Sequence, residues 1–251
     1  MDRVEILGSR ISNLEPHEAL GLLEAAVTDG TRGYVCVCNV HTTVEGYRDP
    51  TFRDVTNRAW LAVPDGMPLV WALRALGDGP RRRSNGPYLM QTLLERAPTT
   101  GHRHFLFGGS DQTLDKLLAR YGGPHIAGVF SPPFRPPTPE EDAEHAARIN
   151  AARPDFVWVG LGAPKQERWM ARLRPQLDAP VLLGVGAAFA MLAGETSQAP
   201  RWMQDRGLEW AFRLGSEPKR LWKRYLTTNP VFVGAFARQW LRERVLKRSR
   251  P

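Results

Sequence analysis

The stretch that decides the fold class is Phe156-Val157-Trp158-Val159-Gly160-Leu161-Gly162-Ala163-Pro164-Lys165-Gln166-Glu167. Its four leading apolar residues predict a strand that is buried on both faces, as is typical of parallel sheets. Two glycines follow, and then Pro164 stands where a helix begins, a position that proline favours. The stretch therefore predicts a strand, a tight turn and a helix, which is the repeating unit of an α/β fold.

The same unit recurs along the chain. Apolar runs predict strands over residues 4–7, 34–38, 60–63, 104–107, 125–130, 156–159 and 181–185. Helical patterns lie between them, over residues 16–28, 50–57, 67–76, 87–97, 112–121, 139–152 and 164–177. This alternation predicts a mostly parallel, Rossmann-like sheet with helices on both faces. A hydrophobic content of 42% and a charged content of 24% suit a globular domain with a sizeable core.

The C-terminal part differs in composition from the rest. Residues 201–251 contain 13 of the 34 Lys and Arg residues but only four of the 26 Asp and Glu residues. From residue 200 the strand signals stop, and helices are predicted over 200–214, over 218–226 and from Pro230 to about 248. We therefore expect an α/β catalytic domain over 1–199 and a basic helical appendage over 200–251. Such a surface suits nucleic acid or an anionic membrane, unless it is simply solvated.

The last predicted helix carries an apolar stripe at i,i+4 spacing, formed by Phe232, Phe236 and Trp240. A stripe of this kind with nearby arginines is typical of a helix that lies in a membrane interface. Packing back against the body of the protein would explain it equally well.

Other features indicate a cytoplasmic protein. The sequence contains no run of about 18 apolar residues, and its first residues do not resemble a signal peptide. Cys36 and Cys38 are two positions apart in a predicted strand, so their side chains point in parallel directions that suit a disulfide badly. We expect two buried thiols.

Polar and glycine-rich segments follow the predicted strands, at the edge where open α/β sheets bind ligands. They are residues 39–43, 64–66, 108–110, 160–167 and 184–189, the last containing Gly184 and Gly186. In the turn from Gly160 through Gly162 to Gln166, unpaired helix amides and Lys165 could bind a diphosphate. The alternative is a tight turn between strand and helix whose glycines serve packing only. The turn matches neither a Walker A loop nor a complete Rossmann fingerprint.

Asp65 lies between Pro64 and Gly66 at a strand end. It could cap the helix that begins near Met67, or it could act as the general base that deprotonates a hydroxyl nucleophile. The run at 81–83 is either a solvated basic loop or an anion contact. Because no Asp-x-Asp and no His/Cys spacing suits a metal, we expect neither metal nor cofactor, and helix termini and Arg/Lys would stabilise a diphosphate leaving group.

Motifs in order over nearly the whole chain resemble the WecG/TagA/CpsF family of bacterial glycosyltransferases. The resemblance is carried by Asn39 and by residues 48–50, 61–71, 86–90, 105–109, 130–134, 159–167, 184–189, 199–203, 207–210, 213–214, 217–218 and 224–226. It implies an inverting, metal-independent, UDP-sugar-dependent hexosyltransferase. Its acceptor would be a polyprenyl-diphosphate-linked saccharide, in the synthesis of a cell-surface polysaccharide such as an exopolysaccharide.

The resemblance also implies roles for particular residues. Asp65 becomes the candidate base, and Asn39, Arg83 and Gln166 become substrate-pocket residues. The basic tail would dock on the inner face of the cell membrane and supply arginines to the site, with candidates Arg213, Arg220 and Arg224. We expect Asp65 and the 160–166 turn to face each other across one nucleotide cleft. A homo-oligomer is compatible with these features.

Three departures from the family pattern bear on the donor. Ala190 replaces the acid that usually follows Gly-Ala-Ala-Phe, Tyr88 replaces the acid after Gly-Pro, and residues 196–198 replace a more basic segment. A nucleic-acid-binding protein is the main alternative, although no nucleic-acid-reading motif is present. A nucleotide-dependent oxidoreductase is disfavoured because no Gly-x-Gly-x-x-Gly follows the first strand.

Overall fold

The computed structural model describes residues 2–248, apart from the side chains of residues 201, 205, 220 and 246–248. Its strands are β1 (Arg3–Ile6), β2 (Ser9–Ser12), β3 (Gly33–Cys38), β4 (Leu61–Pro64), β5 (His104–Gly108), β6 (Ile126–Phe130), β7 (Phe156–Gly160) and β8 (Val181–Gly184). Six of them form one sheet in the order β4-β3-β8-β7-β5-β6, and every pair of adjacent strands in it is parallel.

The helices lie on both faces of this sheet. They are α1 (Pro16–Asp29), α2 (Val40–Arg48), α3 (Pro50–Arg58), α4 (Met67–Leu76), α5 (Gly86–Thr100), α6 (Asp111–Tyr121), α7 (Pro139–Ala152), α8 (Lys165–Leu173), α9 (Ala188–Leu192), α10 (Arg201–Asp205), α11 (Glu209–Ser216) and α12 (Pro218–Arg248), with a 3₁₀ turn at Arg174–Gln176. The predicted α/β class is confirmed.

Side-chain alternation along the strands builds a core on each face. In β7, Trp158 faces the core formed with α1, α5, α6 and α9, whereas Val157 and Val159 face the core formed with α2, α3, α4, α7 and α8. Cys36 and Cys38 of β3 share the second core, and both are buried and free, as predicted.

The strand predicted over residues 4–7 is present as β1, but it does not belong to the main parallel sheet. The chain reverses at Leu7 and Gly8, which both have positive φ, and β1 pairs with β2 as a separate antiparallel hairpin. The side chain of Ser12 accepts a hydrogen bond from the Ala62 amide of β4 at 3.0 Å. β2 was missed because its sequence has one large apolar residue, Ile11, and so little strand signal.

The three predicted C-terminal helices have different bounds in the structure. The segment 200–214 breaks into α10 and α11 at Gly207, whose φ is +69°. Pro230 lies inside α12 rather than opening a new helix. Pro removes one backbone hydrogen bond, but Leu221, Thr228 and Phe232 are buried on one side of α12 and hold both halves against the body.

The C-terminal helices pack on the α/β body. Phe232 is buried in the core cluster and Phe236 packs against it, so the stripe predicted on this helix faces inward. The Gln239 side chain accepts a hydrogen bond from the Leu7 amide (2.9 Å) and donates one to the Glu5 carbonyl (2.7 Å). The division into 1–199 and 200–251 stays a prediction. Among the described residues, no helix combines the length and apolar character needed to cross a bilayer.

Candidate active site

Asp65 stands at the carboxyl end of β4, in the wall of a cavity of about 300 Å³. Its amide donates to the Cys38 carbonyl at 2.7 Å, which joins it to the neighbouring strand end. The residue that caps α4 is Gly66, with no side-chain cap bond. Because Asp65 is half-buried and does not cap that helix, the capping interpretation is wrong.

The surroundings of Asp65 shift the ionisation of its carboxyl toward neutral pH. The pKa of the Asp65 carboxyl is raised to about 6, chiefly by burial and also by the nearby Glu209 carboxylate, against the lowering effects of Arg83, Arg213 and a hydrogen bond from Asn39. A carboxyl group with a pKa close to the working pH is suited to accept a proton from a substrate.

Asn39 is placed by the local sequence. It follows β3 and caps α2, a helix that the sequence pattern did not reveal, by accepting a hydrogen bond from the Thr42 amide at 3.2 Å. Thr42 bonds back to the Asn39 amide at 2.9 Å, which completes a capping box. The cap therefore holds the Asn39 side chain beside the Asp65 carboxyl.

Three arginines line the same cavity, together with two carboxyl groups. Arg83 comes from the loop before α5, Arg213 from α11 and Arg224 from α12. Arg83 donates to the Gln204 side-chain oxygen (2.7 Å) and to the Asp65 carbonyl (3.4 Å). The cavity therefore combines two carboxyl groups with a net positive charge.

The C-terminal helices also supply residues that sequence reasoning did not assign to the site. These are Gln204, Glu209, Trp210 and Tyr225, and the described lining further includes His41, Phe232 and Val233. Burial and the nearby Arg224 lower the pKa of His41. The family motif at residues 207–210 contains two of them, Glu209 and Trp210, but the resemblance implied no role for either.

Lys165 and Gly160 line a second and larger cavity, of about 680 Å³, at the ends of β5 and β7. Gly108 and Gly109 lie in its wall, and the Pro-rich loop 131–137 forms its opposite side. The Lys165 ammonium lies 4.8 Å from the ring centroid of Phe134, which is almost fully exposed. This cavity is therefore mainly apolar with cationic groups at its rim.

Gln166 is almost completely buried and stands in neither described lining. Its side-chain oxygen accepts from the Gly162 amide (3.1 Å), and its nitrogen donates to Glu167 (2.9 Å). A Cβ on Gly184 would lie 2.7 Å from a Met170 methyl and 3.1 Å from the Gln166 nitrogen.

Gly162 and Gly186 both have positive φ and lie against Gln166. The contacts of Gly162, Gly184, Gly186 and Gln166 therefore join the ends of β7 and β8 to α8.

The structure corrects the expectation of a single cleft. None of residues 160–166 is in the described lining of the Asp65 cavity. β4 and β7 are separated by β3 and β8, an offset of about 14 Å at ordinary strand spacing. Both cavities lie at the carboxyl edge of the sheet, and residues of α11 and α12 line only the one that contains Asp65. Arg220 lies in α12, and its side chain is outside the described residues.

Within residues 2–248, apart from the side chains left out, no group of His, Cys, Asp and Glu is arranged to hold a metal ion. The fold and the cavity define an α/β protein with a ligand site at the carboxyl edge of a parallel sheet. The chain belongs to the Glycosyl transferase WecG/TagA/CpsF family, whose model matches residues 4–246. The family predicted from the motifs is confirmed.

Two relatives extend this comparison. The N-acetylglucosaminyldiphosphoundecaprenol N-acetyl-beta-D-mannosaminyltransferase of Bacillus spizizenii is 27% identical over 240 residues, covering 94% of this chain and 89% of that protein. The enzyme of the same name from Staphylococcus aureus is 25% identical over 242 residues, with coverages of 94% and 92%. The similarity therefore extends over the whole fold, including the C-terminal helices.

Proposed function

We propose that this protein is an inverting glycosyltransferase that moves a sugar from a UDP-sugar to a polyprenyl-diphosphate-linked saccharide in the synthesis of a cell-surface polysaccharide. The observation that carries the proposal is the cavity in which Asp65, with its raised pKa, lies among three arginines. The names of the two relatives support an acceptor of the lipid-diphosphate class.

In the proposed reaction, the Asp65 carboxylate removes the proton from an acceptor hydroxyl. The oxygen attacks the anomeric carbon of the donor from the face opposite UDP, a new C–O bond forms, and the bond to UDP breaks with its electron pair on the leaving diphosphate. Because attack and departure occur on opposite faces, the anomeric configuration inverts. The proton on Asp65 then passes to solvent.

The donor would extend along the carboxyl edge between the two cavities. The apolar walls and the rim cation Lys165 of the larger cavity suit a nucleoside with its phosphates. Arg213 and Arg224, which line the Asp65 cavity, would bear the charge that develops on the leaving diphosphate. In this arrangement the sugar end of the donor reaches toward Asp65.

The transfer assay that tests the proposal uses a panel of UDP-sugars with short-chain polyprenyl-diphosphate-linked saccharides. We expect one donor to support transfer, and nuclear magnetic resonance of the product to show an anomeric configuration opposite to that of the donor. Retained configuration would contradict the mechanism, and absence of transfer from every UDP-sugar would contradict the function.

A pH dependence follows from the raised pKa of Asp65. Below about pH 6 the carboxyl is protonated and cannot accept a proton, so kcat/KM should fall by about tenfold per pH unit. Above about pH 7 the carboxyl group is ionised, so kcat/KM should no longer rise with pH on account of Asp65. Measuring kcat/KM between pH 5 and 8 checks the prediction, and a flat profile across that range would exclude Asp65 as the essential base.

The exposed side of α12 supports docking on the anionic inner face of the cell membrane. Trp222, Leu226, Val233 and Leu241 are exposed and lie on one side of the helix. They are flanked by exposed basic residues, namely Lys219, Lys223, Arg238, Arg242 and Arg244. This is a different stripe from the predicted one, which packs inward. Val233 also lines the Asp65 cavity, so the cavity opens beside the proposed membrane surface.

Leu226→Glu combined with Val233→Glu should lower binding to anionic liposomes by more than about tenfold, because two side chains lose apolar burial in the membrane and gain negative charge. Co-sedimentation measures this. Ala25→Glu, which is exposed on α1, is the matched control and should bind normally. Equal liposome binding by the double variant would contradict the docking surface. Pelleting with oligonucleotides instead of liposomes would favour the nucleic-acid alternative.

A further inference from the structure

Glu209 is a second carboxylate in the cavity of Asp65, and the proposed reaction assigns it no role. It is the first residue of α11, and it forms an ion pair with Arg83. The side chains of Arg83 and Glu209 are only 13% and 21% exposed. The pair is therefore shielded from solvent on most sides, unlike an ordinary surface ion pair.

Arg83 connects this pair to the edge of the sheet. The neighbouring Ser84 amide donates to the Pro64 carbonyl at 2.8 Å, which places the loop beside the end of β4. The Arg83 guanidinium also bonds to Gln204 of α10, whose nitrogen in turn donates to the Ala199 carbonyl at 2.7 Å. Arg83 thus holds α10 and α11 against the strand end that carries Asp65.

Two simpler roles for Glu209 are available. An acidic residue in the first turn of a helix is stabilised by the helix dipole, and an ion pair can contribute to stability alone. Neither role takes account of the fact that Glu209 lines the cavity of Asp65 and acts electrostatically on its carboxyl. The placement of Glu209 in the same cavity as the candidate base favours a role in arranging the site.

We infer that Glu209 is a positioning residue of this active site, which acts through Arg83 to hold α11 over the sheet edge so that Arg213 faces Asp65. The inference rests on the proposed function. Its charge has a second consequence, since Glu209 opposes ionisation of Asp65 while Arg83 and Arg213 favour it. The other titratable or charged groups in the described lining are His41 of α2 and Arg224 and Tyr225 of α12.

The test replaces Glu209 with Gln, which keeps the shape and removes the charge. We expect kcat/KM to fall about tenfold, because the contact that holds α11 is weakened. The acid limb of the pH profile should move to lower pH, because the group that raises the pKa of Asp65 is gone. Arg83→Gln should move that limb to higher pH, and the double variant should lose less than the product of the two single losses.

Titration of the Asp65 carboxyl by carbon-13 nuclear magnetic resonance gives a readout that needs no activity. It separates failure of this inference from failure of the proposed function, because the shift in Glu209→Gln can be measured even where no UDP-sugar is used. Glu5→Gln, exposed on β1, is the matched control.

An unshifted Asp65 titration in Glu209→Gln would overturn the inference, as would normal kcat/KM. A loss of kcat/KM with a lowered Tm and an unchanged pH profile would also overturn it, because this pattern shows a structural role alone. If Glu209→Gln does not fold, Arg83→Gln tests the same ion pair. The acid limb of its kcat/KM profile should move to higher pH, and an unmoved limb would overturn the inference.

Discussion

Asp65→Asn should lower kcat by about 10²- to 10⁴-fold, the usual contribution of a positioned general base. The amide has the shape of the carboxyl group but cannot accept the proton of the acceptor hydroxyl. The side chain lies in the cavity wall and caps no helix, so folding should be little affected. Single-turnover transfer assays measure the chemical step, and calorimetric titration with UDP should show affinity close to that of the unmodified protein.

Asp115→Asn is the matched control for this variant, because Asp115 is exposed on α6 and lines neither described cavity. It should transfer sugar at the normal rate. Normal transfer by Asp65→Asn would remove Asp65 from the mechanism. Loss of UDP affinity and of Tm together would instead assign Asp65 to binding and structure.

Arg213→Gln should lower kcat by about 10²- to 10³-fold, as removal of one preorganised donor from a developing anion does in other active sites. Arg213 projects from α11 into the Asp65 cavity, and its Nε has no hydrogen-bond partner among the described residues. The diphosphate gains charge as the bond to the sugar breaks, so the interaction is strongest in the transition state and KM should change less than kcat.

Arg10→Gln, exposed on β2, removes the same charge far from the cavity and should leave kcat unchanged. A second check compares donors whose leaving groups differ in quality. If Arg213 stabilises departing UDP, its replacement should slow a poor leaving group more than a good one. An Arg213→Gln variant with normal kcat and raised KM would show that Arg213 only binds the ground state.

The fold was predictable where each element carries its own signal. The continuous apolar run of β7 predicted a strand buried on both faces, and the structure places it inside the parallel sheet. The predicted bounds of the helix at 67–76 agree with α4. By contrast, β2 has little apolar content, and α2 begins with polar capping residues that resemble a loop, so neither was detected.

The site was predictable only in part. The position of Asp65 after an apolar strand, together with the family motifs, indicated a candidate base, but local sequence could not separate a cap from a base. The structure shows Gly66 in the capping position. Gln166 was expected in the substrate pocket, but its side chain is buried and forms hydrogen bonds with Gly162 and Glu167. No local sequence pattern indicates these contacts.

The sequence by itself determined the alternation of strands and helices, the family and the basic character of the last 51 residues, because these properties are carried by neighbouring residues and by composition. Only the tertiary structure decided that Glu209 lines the cavity of Asp65, more than 140 positions away in the chain, beside Arg213 and Arg224, which the family resemblance had already indicated. It also decided that the stripe beginning at Phe232 faces inward and that Pro230 interrupts no helix. These outcomes depend on the packing of α11 and α12 against α2, α4 and the sheet edge, and packing energy between distant segments overrides local propensity.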